Sequence, residues 1–346
     1  MKTKKVIRVL IVDDSVIYRE MISRQISEDD QIEVVGKASS SYEARDMIIK
    51  LRPDVMTLDV EMPKMDGIEF LKKLMPQYPL PTIVVSSASD RVFDALNSGA
   101  VDFIEKPRSS EHVKYFIQEL VVKIKIASTA KVGHHKHVID RNDSDLQAKR
   151  NSNLLVAIGA STGGTNAIDE LLRKFTRDMP GTVIVQHMPE VFTKLFSDRL
   201  NNECVVEVKE AENGDEVMTG RVLIAPGKKH MRVVKRRNKI FVELEDETEN
   251  NKVSGHCPSV DVLFQSVAKN IGKNSIGIIL TGMGKDGADG LLQMKQMGSK
   301  TIGQDEASSV VYGMPKVAYE RGAVDVQVAL PKIYDTLKDL IDKFEV

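Results

Sequence analysis

The sequence has little of several features that would place it in a specialised class of protein. Its two cysteines, Cys204 and Cys257, are too few for a disulfide framework and fit a reducing cytoplasm. Lysine and arginine total 49 against 50 aspartates and glutamates, so no strong field favours nucleic acid or an anionic membrane surface. No apolar run is long enough to cross a bilayer. The N-terminal MKTKKVIRVLIVDDS is basic, but its short apolar run ends in two aspartates, unlike a signal peptide. We therefore expect a cytoplasmic protein without membrane insertion or a nucleic-acid partner.

The length of 346 residues is that of two ordinary domains. In residues 6–126, five strand-like runs (VIRVLIVDDS, IEVVGKA, PDVMTLDV, PTIVVSS and VDFIEKP) alternate with helical patterns such as YEARDMIIKL. Continuous Val, Ile and Leu runs between helices indicate a parallel sheet covered on both faces. We predict an α/β, doubly wound domain with a five-stranded parallel sheet.

Residues 127–153 contain almost no large apolar side chains and predict a flexible linker. The linker holds His134, His135 and His137, which could bind a metal. No acidic or cysteine partner accompanies them at a fixed spacing, so a solvated linker is the better interpretation.

Residues 154–346 again alternate strands and helices. Strands are predicted at LLVAIGA, TVIVQHM, RVLIAPG, SIGIILTG, SKTIGQ and VDVQVAL, and MRVVKRRNKIFVELE predicts a hairpin turning at Arg237 and Asn238. The pattern predicts a larger, mostly parallel, Rossmann-like α/β domain with an inserted hairpin.

Acidic side chains end two strands of the first domain. Asp13 and Asp14 close the first strand and Asp59 closes the third, at the edge where ligands of a parallel sheet collect. Three carboxylates at one edge repel one another unless a hard cation lies among them, and Mg²⁺ suits such a site. Ser86 ends the fourth strand and Lys106 the fifth, where a lysine can neutralise a phosphoryl group.

This ordered set resembles the receiver domain of bacterial response regulators over the whole first domain. The resemblance implies that Asp59 accepts a phosphoryl group from a histidine kinase. It implies Mg²⁺ binding by Asp13, Asp14 and Asp59, and sensing of the phosphate by Ser86 and Lys106. A degenerate receiver would usually lose one of the five residues, and all five are present.

Ser161 lies in VAIGASTGGT, where an apolar run leads into a serine flanked by glycines. The pattern G-x-S-x-G is typical of a nucleophile on a strand-to-helix turn, although a helix cap would look the same. A nucleophilic serine needs a base, and the second domain offers three histidines. His187 directly follows a predicted strand and is favoured, whereas His230 begins the hairpin and His256 lies in a loop.

The segment IILTGMGKDGADG ends another strand and supplies Asp286. It is not a P-loop, because no serine or threonine follows its lysine. A loop so rich in glycine can bring backbone N–H groups close to a reacting carbonyl, as an oxyanion hole requires. Asp286 could orient the histidine or simply cap a helix.

Five motifs in order (GASTGG, VQHMP, PSVDVLF, TGMGKDGA and QDEASSVVYGMP) resemble the catalytic domain of the chemotaxis protein-glutamate methylesterases, the CheB family. The resemblance covers the whole second domain. It implies that Ser161 is the nucleophile, His187 the general base and Asp286 the group that orients the base. It also implies that the Met283 backbone N–H, with Thr162, binds the oxyanion.

The implied activity is phosphorylation-activated removal of methyl groups from glutamate methyl esters on chemoreceptors, with release of methanol. Deamidation of receptor glutamines would follow the same chemistry. The implied partners are the cytoplasmic helices of chemoreceptors and a chemotaxis histidine kinase, and ester hydrolysis needs no cofactor. The sequence departs from the family pattern at Cys257, where an arginine is usual.

Two alternatives remain open from the residues. The chain could be a phosphorylation-switched module that only docks on receptors. It could also be a receiver with a DNA-binding output, although no basic recognition helix is present.

Overall fold

The computed structural model describes residues 6–87, 91–107, 109, 112–132, 154–248, 250–253 and 255–344. The chain divides into two compact units, within residues 1–136 and 137–346, and each is described separately. Most of the predicted linker, with its three histidines, lies outside the described residues.

The first unit alternates strands and helices along the chain. Its strands are β1 (Ile7–Val12), β2 (Ile32–Ala38), β3 (Val55–Asp59), β4 (Thr82–Ser86) and β5 (Asp102–Glu105). Its helices are α1 (Val16–Ile26), α2 (Ser41–Leu51), α3 (Gly67–Leu74), α4 (Arg91–Asn97) and α5 (Val113–Ala127). The sheet order is β2-β1-β3-β4-β5 and every pair is parallel, which confirms the predicted five-stranded sheet. β3 and β4 are buried along their whole length, as strands covered by helices on both faces should be.

The second unit is larger and contains two sheets. Its strands are β6 (Leu155–Ala160), β7 (Gly181–Gln186), β8 (Glu207–Glu210), β9 (Glu216–Val217), β10 (Arg221–Ile224), β11 (Lys229–Arg236), β12 (Lys239–Asp246), β13 (Ser275–Ile279), β14 (Lys300–Gln304) and β15 (Val326–Val328). Its helices are α6 (Gly164–Leu172), α7 (Glu190–Glu203), α8 (Val260–Asn270), α9 (Ala288–Gln296), α10 (Met314–Glu320) and α11 (Leu330–Phe344).

The main sheet of this unit has the order β15-β14-β13-β6-β7-β10-β8, with all its pairs parallel. β11 and β12 form the predicted antiparallel hairpin, which turns at Arg237 and Asn238 and pairs with β9 in a separate sheet. The chain order reverses between β6 and β13, so the sheet opens a crevice at their carboxyl ends. Among the described helices, none combines the length and apolar character needed to span a membrane.

Candidate active site

Ser161 follows β6, which is buried along its whole length, and precedes α6 by a tight turn. Gly163 in that turn has a φ of 77°, a left-handed conformation that favours glycine. The Ser161 N–H donates to the carbonyl oxygen of Thr281 at 3.0 Å. A Cβ atom on Gly282 would lie 2.6 Å from the Cβ of Ser161, so only glycine fits beside the serine. The glycines therefore hold Ser161, which is half-buried, on a sharp turn at the end of a central strand.

His187 follows β7, the neighbour of β6 in the sheet. Its backbone N–H donates to the carbonyl oxygen of Ala160 at 3.2 Å. The side-chain amide of Gln186 donates from Nε2 to the carbonyl oxygens of Ser161 and His187, each at 3.0 Å. Gln186 is buried, so this amide links the serine turn to the histidine segment inside the protein.

Asp286 lies in the loop after β13 and pairs with His187, whose Nε2 lies 2.8 Å from Oδ2 of the aspartate. Its carboxylate also accepts a hydrogen bond from the Ser259 hydroxyl at 2.8 Å. The first N–H groups of α8 complete the set, because Val260 N–H donates at 2.8 Å and Asp261 N–H at 3.0 Å. Burial alone would raise the pKa of Asp286, but His187 and then the N–H groups of Asp261 and Val260 outweigh it and lower the pKa to about 2.

The contact with Asp286 fixes the roles of the two nitrogens of His187. Because Nε2–H donates to the carboxylate, Nδ1 carries the free electron pair of the neutral ring. This Nδ1 is buried and has no hydrogen-bond partner among the described residues. Nδ1 is therefore the nitrogen that can accept a proton.

The loop that carries Met283 lies beside the serine turn. Thr281 at its start donates from Oγ1 to the carbonyl oxygen of Thr162 at 3.0 Å. Within the described part of the chain, the backbone N–H of Met283 makes no hydrogen bond, and its side chain is half exposed. Thr162, next to Ser161, is buried. The predicted oxyanion residues thus lie on two segments that a threonine joins.

The other two histidines of this unit take different places. His230 is buried in β11, accepts from Ser259 N–H at Nδ1 and contacts Asn251 O through Nε2. The ring of His256 stacks on that of His187, with centroids 3.9 Å apart. The sequence indicated only a loop position for His256, which gives no signal of this contact.

Sequence reasoning missed two residues that hold the site together. Ser259 carried a signal, since a serine directly before a helical pattern is typical of an N-cap, and here its hydroxyl also donates to Asp286. Gln186 carried none, because its contacts depend on how the serine turn folds.

In the first unit, the five predicted residues meet at one edge of the sheet. Carboxylate oxygens of Asp13, Asp14 and Asp59 lie within 4.8 Å of one another. Lys106 Nζ contacts Asp59 at 2.7 Å and Asp13 at 2.9 Å. The hydroxyl of Ser86 is buried and has no hydrogen-bond partner among the described residues.

Burial sets the electrostatics of this acidic edge. Burial raises the pKa of Asp59, although Lys106 opposes the change. Burial alone would lower the pKa of Lys106, but hydrogen bonds to Asp59 and Asp13 outweigh it and raise that pKa. Three crowded carboxylates against one lysine, together with an unsatisfied buried hydroxyl, fit a hard divalent cation and a phosphoryl group.

The two cysteines have no sign of reactivity. Cys204 and Cys257 are free and partly buried. Burial is the main cause that raises their pKa values, to about 12 for Cys204 and about 11 for Cys257. Both thiols therefore stay protonated near neutral pH, and the structure gives Cys257 no role in the site.

Comparison with known proteins finds a family match for each of the two units. The chain matches the CheB methylesterase family over residues 156–337 and the response regulator receiver domain over residues 9–118. The "Protein-glutamate methylesterase/protein-glutamine glutaminase 2" of Syntrophomonas wolfei is 54% identical over 339 residues, which cover 97% of this chain and 98% of that protein. A protein of Syntrophotalea carbinolica with the same name, without the final number, is 50% identical over 351 residues, covering 98% and 99%.

A solved structure, the CheB methylesterase catalytic domain of Thermotoga maritima, is 38% identical with a TM-score of 0.52. It covers 55% of this chain and 100% of its own. With matches of this extent, the chain belongs to the CheB methylesterase family and carries a response regulator receiver domain before its esterase domain.

Proposed function

We propose that this protein is a phosphorylation-activated serine hydrolase that demethylates glutamate methyl esters on chemoreceptors and deamidates receptor glutamines. The observation that carries the proposal is the His187–Asp286 pair, at 2.8 Å, on the sheet edge that also holds Ser161. The names of the relatives, protein-glutamate methylesterase/protein-glutamine glutaminase, support the substrate class.

In the acylation step, the Ser161 hydroxyl attacks the ester carbonyl while Nδ1 of His187 takes its proton. Asp286 stabilises the imidazolium ion that forms, through the hydrogen bond from Nε2. The negative charge on the carbonyl oxygen is held by the Met283 backbone N–H together with Thr162. His187 then returns the proton to the departing oxygen, and methanol leaves.

In the deacylation step, His187 takes a proton from water, which attacks the acyl carbonyl, and then returns the proton to Ser161 Oγ as the acyl bond breaks, so that glutamate and the free serine are restored. With a glutamine substrate, ammonia leaves in place of methanol and the product is again glutamate. Neither step needs a cofactor.

The receiver controls this activity through Asp59, which accepts a phosphoryl group from a chemotaxis histidine kinase. Asp13, Asp14 and Asp59 would hold Mg²⁺, whose positive charge offsets that of the phosphoryl oxygens. Lys106 and Ser86 would contact the phosphoryl group, and two observations support this role: Lys106 Nζ lies 2.7 Å from Asp59, and the buried Ser86 hydroxyl has no hydrogen-bond partner among the described residues.

The proposed domain boundaries are residues 6–126 for the receiver, 127–153 for a flexible linker and 154–346 for the esterase. The two compact units and the two family matches support this division. We place the enzyme in the cytoplasm, where receptor helices and the kinase would be accessible to it.

The test is methanol release by the full-length protein from receptor membranes whose glutamates carry a radiolabelled methyl group. We expect release without a phosphodonor and faster release with a small-molecule phosphodonor and Mg²⁺. A docking module, the alternative function, would bind the membranes and release no methanol. A DNA-binding output is not favoured, because the second unit matches CheB methylesterase.

A further inference from the structure

The ring of His256 lies flat on the ring of His187. The ring centroids are 3.9 Å apart and the planes differ by 11°. The His187 side chain is only 9% exposed, and Asp286 holds it by the edge at Nε2. The hydrogen bond to Asp286 holds only the edge of the His187 ring and leaves the ring plane free to rotate. His256 contacts the face of that ring.

The loop that carries His256 is fixed to the rest of the domain. His256 N–H donates to Val253 O at 3.0 Å, and Val253 N–H donates back to His256 O at 3.3 Å. Buried His230 holds both ends of the loop, since its Nδ1 accepts from Ser259 N–H at 3.2 Å and its Nε2–H donates to Asn251 O at 2.8 Å. The position of His256 is thus set by the fold and does not depend on the stack alone.

The same segment also holds the partner of His187. Two residues beyond Cys257, the Ser259 hydroxyl donates to Asp286, followed by the first N–H groups of α8. One stretch of chain therefore contacts the ring face of His187 through His256 and donates hydrogen bonds to Asp286 through Ser259 and the start of α8. Such double support is what a base needs if its nitrogen is to keep a fixed position.

We propose that His256 is a positioning residue for the esterase reaction, in which its neutral ring fixes the plane of His187 and its protonated ring blocks the base. The block follows because His187 becomes positively charged when it takes the serine proton, and two positive rings stacked at 3.9 Å repel each other. This inference rests on the proposed function, because it needs His187 to act as the base.

The charged groups on the neighbouring segments are already engaged, and near Cys257 the Asp246 carboxylate pairs with Lys229 and the Glu245 carboxylate with Arg232. Asp286 is committed to His187 and to the N-terminus of α8, and Asp261 accepts from Gly290 N–H at 2.7 Å. The Glu247–Lys252 ion pair near Cys257 is neutral as a whole. His230 uses both nitrogens within the loop. A proton on His256, whose ring centroid lies 3.9 Å from that of His187, opposes a proton on His187.

The experiment compares His256→Phe with His256→Ala in the full-length protein, by methanol release from methylated receptor membranes. Phenylalanine keeps a flat ring that cannot take a proton, whereas alanine removes the ring. At about pH 8, we expect His256→Ala to lose about tenfold to a hundredfold in kcat, with little change in KM. His256→Phe should keep kcat within about threefold of the wild type. The matched control is His112→Phe, at an exposed histidine of the receiver.

The pH profile separates this role from simple packing. The wild-type pair loses activity when either ring binds a proton, whereas His256→Phe loses it only when His187 does. The acid limb of kcat should therefore lie at lower pH in His256→Phe than in the wild type. An unmoved acid limb, or a phenylalanine variant as slow as the alanine variant, would overturn the proposal.

A second readout does not depend on receptors. The His187 Nε2–H proton, hydrogen-bonded to Asp286, should give a downfield ¹H NMR signal that is retained in His256→Phe and broadened in His256→Ala. An equally sharp signal in both variants contradicts a positioning role. If the wild type itself releases no methanol, the proposed function fails, and the NMR comparison still decides whether His256 fixes the ring.

Discussion

The two sites use buried carboxylates in opposite ways, although both lie at the carboxyl ends of a parallel sheet. In the receiver, buried Asp13 and Asp59 pair with Lys106 and crowd against exposed Asp14, and burial raises the pKa of Asp59. In the esterase, Asp286 is just as buried, yet its pKa falls to about 2. At Asp286, His187 and then the N–H groups of Asp261 and Val260 outweigh the effect of burial, whereas at Asp59 burial outweighs Lys106 and the Glu61 N–H.

This difference indicates how each site works. The receiver edge keeps unfavourable repulsion that a cation or a phosphoryl group can relieve, so its state responds to what binds there. At the esterase edge the Asp286 carboxylate has its hydrogen-bond partners before substrate arrives, so these dipoles need little rearrangement as charge develops on His187. One edge is suited to switching and the other to catalysis.

Removing the nucleophile should have the largest effect and should affect one edge only. We expect Ser161→Ala to lower methanol release by about 10⁴-fold or more, and His187→Ala to lower it comparably, because members of a triad act as a unit. Phosphorylation of the receiver should be unchanged. The control is Ser197→Ala, since among the described residues the Ser197 hydroxyl bonds only to Lys194 O within α7. Near-normal turnover of Ser161→Ala would contradict the assignment.

Replacing Asp286 tests the satisfied edge directly. We expect Asp286→Asn to lower kcat by roughly 10³- to 10⁴-fold, because an amide cannot stabilise the imidazolium and its NH₂ group meets N–H donors. The measurement is kcat for methanol release at about pH 8. If the variant keeps more than about a tenth of the wild-type kcat, the charge of Asp286 is not what supports the base.

Much of the fold was predictable because the central strands are continuous apolar runs between helices. The five receiver strands, six of the strands in the main esterase sheet and the hairpin are all confirmed. β8 was not predicted, because EVKE is mostly polar and only Val208 in it is buried. β9 has two residues, too few for any periodic signal.

The site was predictable up to the sheet edge and no further. Ser161 and His187 could be brought together because each directly follows a strand, and parallel strands end at a common edge. The stack of His256 on His187 could not be predicted, because it depends on a loop that is held by buried His230, a residue of another sheet. The roles of these side chains stay predictions until the variants are measured.

Removing the phosphoacceptor tests the switching edge. We expect Asp59→Asn to abolish labelling by a phosphodonor and Mg²⁺ and to keep basal methanol release. The activation lost should fall in the range of about 5- to 150-fold that is typical of coupling between two sites. Asp13→Asn should keep the acceptor and require more Mg²⁺. Labelling at another residue, or labelling without Mg²⁺, would contradict the receiver assignment.

The low pKa of Asp286 predicts how stability depends on pH. A carboxylate whose pKa falls from 3.8 to about 2 on folding stabilises the fold above about pH 4. That contribution, about 2 kcal/mol, should be lost as the pH falls from about 4 to about 2. Urea unfolding, followed by circular dichroism, should show the advantage of the wild type over Asp286→Asn shrinking by this amount. A constant difference across that range would contradict the argument.

For Asp59 in the receiver, stability should depend on pH in the opposite direction, and the effect should be the smallest of those predicted. Since burial raises the pKa of Asp59 on folding, its charge lowers stability as the pH rises above 3.8. Asp59→Asn removes that charge and keeps an oxygen that can accept from Lys106. In Mg²⁺-free buffer at neutral pH, we therefore expect slower hydrogen exchange in β1, β3 and β4 of this variant than of the wild type. Mg²⁺ should slow hydrogen exchange more in the wild type than in Asp59→Asn, so the difference in exchange rate between the two proteins should become smaller. Faster exchange in Asp59→Asn without Mg²⁺ would mean that the acidic edge is already satisfied and that the contrast between the two edges is wrong.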